Sequence, residues 1–200
     1  MQDYLSRPVP PQVKNPETRL LADYLATKFP NYITMTRVPL GPTMIEEVDG
    51  QRRPTTLGAA RPWRPEVDAV VIMEDPGKIG FMPRGPRGVF MSAPATGVLL
   101  LIEAKVDKYV DGVSKLPFYK SLIPHTPELE LFRGWEHRMR LVITQDAPWV
   151  QIGARIAEVE IDIYAPSWIA EYRQYTQRYW TKEWREERRR VNQVRKRVGL

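Results

Sequence analysis

Leu20, Leu21, Tyr24, Leu25 and Phe29 recur at the spacing of one helix face. Pro16 stands where a first-turn proline is tolerated and Pro30 stops the run, so the pattern predicts a helix over 17–29. Tyr32, Ile33, Met35 and Val38 read as a strand, closed by Pro39, Gly41 and Pro42. Residues 41–65 are polar and predict a long loop or a ragged hairpin. Val67–Met73 is β-branched and apolar, with Asp68 inside it, and predicts a strand. Residues 74–97 hold five glycines and four prolines, which predicts an extended, basic-tipped excursion or hairpin. Val98–Val106 is the strongest strand signal. Val113–Ile123 predicts a helix whose first turns Pro117 weakens, and Met139–Thr144 another strand. Glu158–Tyr164 alternates charged and apolar residues, as an edge strand does, and Pro166 opens a long helix to about Arg197 with a stripe of Trp168, Tyr172, Tyr175 and Tyr179.

This order predicts an α/β fold: a central mixed sheet of four strands or slightly more, flanked by helices, over residues 17–165. Four prolines in residues 1–16 predict an extended arm, and residues 166–200 a basic C-terminal helix. At 200 residues, with 42% hydrophobic and 27% charged positions, the chain matches a globular protein with a real core. Its longest apolar runs, Val98–Ile102 and Ala69–Met73, fall far short of the roughly 18 residues of a membrane span. The first residues lack a signal-peptide pattern, so the expected setting is the cytoplasm or a virion, without a membrane partner. The absence of cysteine excludes disulfides, thiolate metal sites and thiol nucleophiles. With only two histidines, His125 and His137, in segments that fit no familiar metal motif, chemistry is left to carboxylates, lysines and hydroxyls.

The net charge of +6 is local. Residues 178–200 hold nine basic and three acidic residues, so the rest of the chain is balanced. Arg185, Arg188, Arg189 and Arg190 are candidates for nucleic-acid phosphates or an acidic protein, against the simpler reading of a solvated helix with pairs such as Lys182–Glu186. Trp180 and Trp184, within the same tail, are candidates for packing on a partner. Arg84 and Arg87, among glycines and prolines at the tip of the 74–97 excursion, are candidates for a phosphate backbone.

Two apolar strands carry charge where a plain core would not. Glu103 and Lys105, two apart, share one face of their strand, and Asp68 interrupts the other. Charges in a sheet core cost several kcal/mol per ion unless paired or metal-bound. Two carboxylates with a lysine beside them suggest a hard divalent cation, Mg²⁺ or Mn²⁺, with Asp68, Glu103 and the Ala104 backbone carbonyl as ligands and waters completing the shell. Lys105 would then orient or activate water, or offset phosphate charge.

Pro65-Glu66-Val67-Asp68 followed by Glu103-Ala104-Lys105, in the order helix, strand, strand with Asp, strand with Glu-x-Lys, helix, strand, resembles the PD-(D/E)XK nuclease superfamily over about residues 17–144. The resemblance implies a restriction-endonuclease-like fold in which Asp68 and Glu103 bind the metal and Lys105 assists attack on a phosphodiester. It adds Glu17 on the first helix as a further metal candidate, and on the helix after the motif a polar residue, Lys115, Tyr119 or Lys120, of which the two lysines are also candidates for nucleic-acid contact. The proline stands three residues before the Asp, and 35 residues separate Asp68 from Glu103, so an insertion must lie between paired strands. The expected function is a metal-dependent nuclease acting on DNA, in DNA processing or viral genome packaging. The alternative is a non-catalytic structural or interaction protein on the same fold, such as a viral head–tail connector or neck component, assembling as a homo-oligomer or in a larger particle through the N-terminal arm and C-terminal helix.

Overall fold

The computed structural model describes residues 15–42, 45–48, 51–54, 64–84, 87–178, 186, 189–190 and 192–194. The arm expected over residues 1–16 lies outside these, apart from Asn15 and Pro16. Residues 14–164 form one compact unit; residues from Ala165 on belong to another.

The larger unit is built on a five-stranded mixed sheet. Helix α1 (Pro16–Lys28) begins at its proline, carries Glu17 in the first turn, and buries Leu20, Leu21, Tyr24 and Leu25. It leads into β1 (Ile33–Pro39). A separate hairpin, β2 (Ile45–Val48) and β3 (Gln51–Pro54), intervenes before β4 (Glu66–Ile72). A second hairpin, β5 (Gly80–Arg84) and β6 (Arg87–Ser92), precedes β7 (Val98–Lys105). Then follow α2 (Tyr109–Leu122), β8 (Glu136–Ile143), α3 (Pro148–Ile156) and β9 (Glu160–Ile163). The sheet order is β1-β4-β7-β8-β9. β1, β4 and β7 pair antiparallel, while β8 and β9 continue parallel to β7. The parallel joins are made through α2 and α3, as parallel pairing requires crossovers. The sheet is thus the expected central mixed sheet flanked by helices, with five strands.

Helices cover both faces of the centre. α1 packs on β7 and β4, while α2 packs on β7 and β8, so β7 is buried from Leu99 to Lys105 and shows no alternation. Leu99 and Leu101 join Leu116 and Tyr119 of α2 in the main core. Glu103 and Lys105 follow at the same period of two and share this face.

Three elements differ from the sequence reading. α2 starts four residues before Val113, which leaves Pro117 in the helix interior. Burial of Gly112, Leu116 and Tyr119 against the sheet outweighs the hydrogen bond that proline removes. β8 starts at Glu136, three residues before Met139, because Arg138 and Arg140 both pair with Glu160 of the neighbouring strand. α3 answers to no predicted element. Downstream, α4 (Trp168–Arg178) opens after Pro166 as expected. No helix among the described residues is long and apolar enough to cross a membrane.

Candidate active site

The β4–β7 ladder runs from Ile72↔Leu99 to Ala69↔Ile102 and stops there, one residue short of Asp68 and Glu103. Beyond that point the Asp68 side chain replaces the strand: its Oδ2 accepts a hydrogen bond from the Ala104 backbone N–H at 2.9 Å. Glu103 lies on the same side, close enough for the charge of Asp68 to act on its carboxyl. Lys105 Nζ is 3.3 Å from Glu103 Oε2 and donates to Glu17 Oε2 at 3.1 Å. The structure thus gathers Glu17, Asp68, Glu103 and Lys105, from α1, β4 and β7, at one end of the sheet.

Local packing fixes this arrangement. Gly112 of α2 sits so close to β7 and β8 that a side-chain carbon there would meet Lys105 Cγ at 3.4 Å and run into Leu141 Cδ1. From that contact α2 crosses the sheet toward Gly41, whose Cβ position lies 3.8 Å from Leu122. Thr126, just past the helix, accepts from the Gly41 N–H at 2.8 Å and donates to the Leu122 carbonyl at 2.8 Å. This course brings Tyr119 within the electrostatic reach of Asp68, Glu103 and Lys105. The base of the 41–65 segment is pinned beside the same site, with Leu40 N–H bonded to the Pro65 carbonyl and Arg64 bonded to Pro39 O and Glu128.

Glu103 is 2% exposed. Burial, followed by the negative charge of Asp68, pushes its carboxyl up to about 8, although Lys105 pulls the other way. Burial alone would lower Lys105, but the charges of Glu103, Asp68 and Glu17 outweigh it and hold the ammonium above its ordinary range. Tyr119 is pushed up to about 12 by burial and then by the two carboxylates, so its phenol keeps its proton.

Among the described residues no group of three or more His, Asp or Glu side chains forms a ready cage for a metal ion. Asp68 and Glu103 are two, and the Glu17 carboxylate is taken up by Lys105. Two carboxylates suit Mg²⁺, which keeps several waters and commonly takes only one or two protein carboxylates. Burial first, and the charge of Asp68 second, disfavour the Glu103 anion, and a dication between the two carboxylates would favour it, so the donor set fits such an ion.

The other candidates are dispersed. Of the three residues on α2, Tyr119 reaches the site, while Lys115 is exposed and Lys120 half-buried. The β5–β6 hairpin that carries Arg84 and Arg87 leaves the sheet at the Ile72/Leu99 end, opposite to Asp68 and Glu103. The two arginine side chains lie outside the described residues, as do Arg185, Arg188, Trp180 and Trp184. Arg189 and Arg190 are on helical backbone and exposed. His125 is exposed in a short 3₁₀ turn, and His137 donates from Nε2 to the Phe132 carbonyl at 2.9 Å. The link from Lys105 to Glu17 was not legible as a pair, since 88 residues separate the two.

No protein-family model matches this chain, and no curated protein matches it. Among solved structures, one of EndoMS in its apo form is similar at 12% identity, with a TM-score of 0.34. The match takes in 73% of this chain and 45% of that one, so the chain spans less than half of that protein's length. A likeness this slight says nothing about what this chain does.

Proposed function

We propose that this chain is a metal-dependent phosphodiesterase that cuts DNA, with Asp68, Glu103 and the Ala104 carbonyl holding Mg²⁺ or Mn²⁺. The observation that carries the reading is the buried Glu103 carboxyl, set against Asp68 and Lys105 where β4 and β7 part. A structural core has no need of two carboxylates there, and burying them is expensive without a cation. When bound, the ion supplies Lewis-acid activation of water and neutralises charge on a phosphodiester. Lys105, steadied by Glu17, offsets the charge that develops on phosphorus-bound oxygen and orients the attacking water. Tyr119 contributes a neutral O–H donor at the same site. Contact with the DNA backbone outside the site falls to basic residues such as Lys115, Arg189 and Arg190.

The test is cleavage of supercoiled plasmid and linear duplex with Mg²⁺ or Mn²⁺ by wild type, Glu103→Gln and Lys105→Ala, each checked for a cooperative melt. Metal-dependent cutting that both substitutions abolish is the expected result. A folded wild type that leaves DNA intact, and whose thermal midpoint does not rise with metal, overturns the reading.

A further inference from the structure

Three non-glycine residues among those described have left-handed backbone: Arg37, Lys108 and Glu158. Lys108 stands immediately before α2 and Glu158 two residues after α3, in turns at helix ends. Arg37, at φ 54°, lies inside a strand. The kink has a packing reason. Ile33 and Met35 of β1 pack on the core, and the period of two would bring Arg37 in next. With the left-handed step Val38 and Leu40 enter the core instead, and the Arg37 side chain is 80% exposed. That accounts for the bend but not for an arginine at it, since glycine takes this backbone without strain. The position is the one level with Asp68. Thr36↔Ala69 and Val38↔Val67 pair on either side, and no ladder pair joins Arg37 to Asp68. Arg37 Nε donates to Glu66 Oε2 at 3.2 Å, while Nη1 and Nη2 have no hydrogen bond or ion pair among the described residues. Glu66 is two residues before Asp68, about 7 Å along β4. A forked cation therefore stands at the rim of the carboxylate site, anchored on one side and open on the other.

We propose that Arg37 is a substrate-binding residue, whose Nη1 and Nη2 grip a phosphate of the DNA strand next to the one held at Asp68 and Glu103. A guanidinium offers paired N–H donors that match two phosphate oxygens, and Glu66 fixes its plane through Nε. Stability alone does not explain the arrangement. An ion pair this exposed returns less than left-handed backbone costs a side chain with a Cβ. The inference rests on the nuclease reading and deepens it. A metal and Lys105 hold one phosphate, and a second grip on the same strand fixes how the strand crosses the site.

Binding of a short labelled DNA duplex in chelator, followed by fluorescence anisotropy over a salt series, tests it beside cleavage kinetics with Mg²⁺. Arg37→Gln and Arg37→Gly bind the duplex about tenfold more weakly. The slope of log K against log salt shrinks in both by about 0.9, the share of one phosphate on duplex DNA. In cleavage both raise KM and leave kcat in place, since the contact is made equally before and during reaction. Arg37→Gly melts no lower than wild type, because glycine relieves the backbone, and Arg37→Lys, which keeps the charge, keeps the salt slope. If wild type binds and cuts DNA but neither the slope nor KM responds to Arg37→Gln and Arg37→Gly, the proposal falls while the nuclease reading stands. A loss of binding found only in variants that also melt lower than wild type overturns it as well. A folded wild type that cuts no DNA removes the nuclease reading, and this proposal with it.

Discussion

Replacing Glu103 by glutamine should make the metal-free protein more stable, and by an amount set by pH. The folded chain holds the Glu103 proton up to about pH 8, whereas an unfolded glutamate releases it near about 4.3. Between those values the folded state binds one more proton than the unfolded state. Stability therefore falls as pH rises, by about 1.4 kcal/mol per unit, from its full value below about pH 4 to its floor above about pH 8. By pH 7 the wild type has lost about 3–4 kcal/mol that a glutamine, which does not titrate, retains. For a chain of this length that corresponds to a rise of about 7–14 °C in melting temperature. The assay is thermal and urea unfolding of both proteins in chelator across this pH range. The two curves should meet near the acid end and separate steadily toward pH 8, and Mg²⁺ should raise the wild-type midpoint while leaving that of the variant in place. A gap that is flat with pH, or a variant less stable than wild type at the alkaline end, refutes the account of Glu103 as a carboxyl strained by burial and by Asp68.

Three further outcomes follow from the packing. Gly112→Ala puts a methyl group against Leu141 and Lys105 and should cost about 1–3 kcal/mol in urea unfolding, with a lower melting temperature. Thr126→Val leaves the Gly41 N–H buried without its acceptor and should cost about 1–3 kcal/mol by the same measurement. Burial raises Glu160, but hydrogen bonds from Arg140 and Arg138 outweigh it and hold the carboxyl below its usual range. Its contribution is present above the unfolded glutamate value and is lost as pH falls through the folded one, so Glu160→Gln should flatten the acid limb of the stability profile.

The part of the site legible in the sequence is the part that lies along single strands. A period of two puts Glu103 and Lys105 on the side of Leu99 and Leu101 whatever surrounds them, and Asp68 betrays itself by interrupting Val67–Ile72. Pro16 and Pro30 mark the ends of α1 because proline acts on its own backbone. What stayed hidden depends on partners remote in the chain. Glu17 and Tyr119 enter only through the resemblance: nothing near Glu17 announces Lys105, and Tyr119 meets the site only through the packing of α2 on β7 and β8. The start of β8 is masked by arginines whose partner, Glu160, is twenty or more residues on. α3 had a local signal in Pro148 at its first turn, but the exposed Trp149, Ile152 and Ile156 blur the one-sided period by which a surface helix is recognised.

Asp68 occupies the place in the ladder where a backbone carbonyl of β4 would have received the Ala104 N–H. One side chain therefore serves as both a carboxylate and a piece of hydrogen-bonding main chain. An alanine at this position removes a strand contact together with a charge, and any loss it causes mixes architecture with chemistry. Asparagine keeps an oxygen for the N–H and removes only the charge, so it is the substitution that separates the two roles. A requirement on either role constrains the same atom, and a chain without the proposed metal chemistry would still have reason to keep an acceptor there.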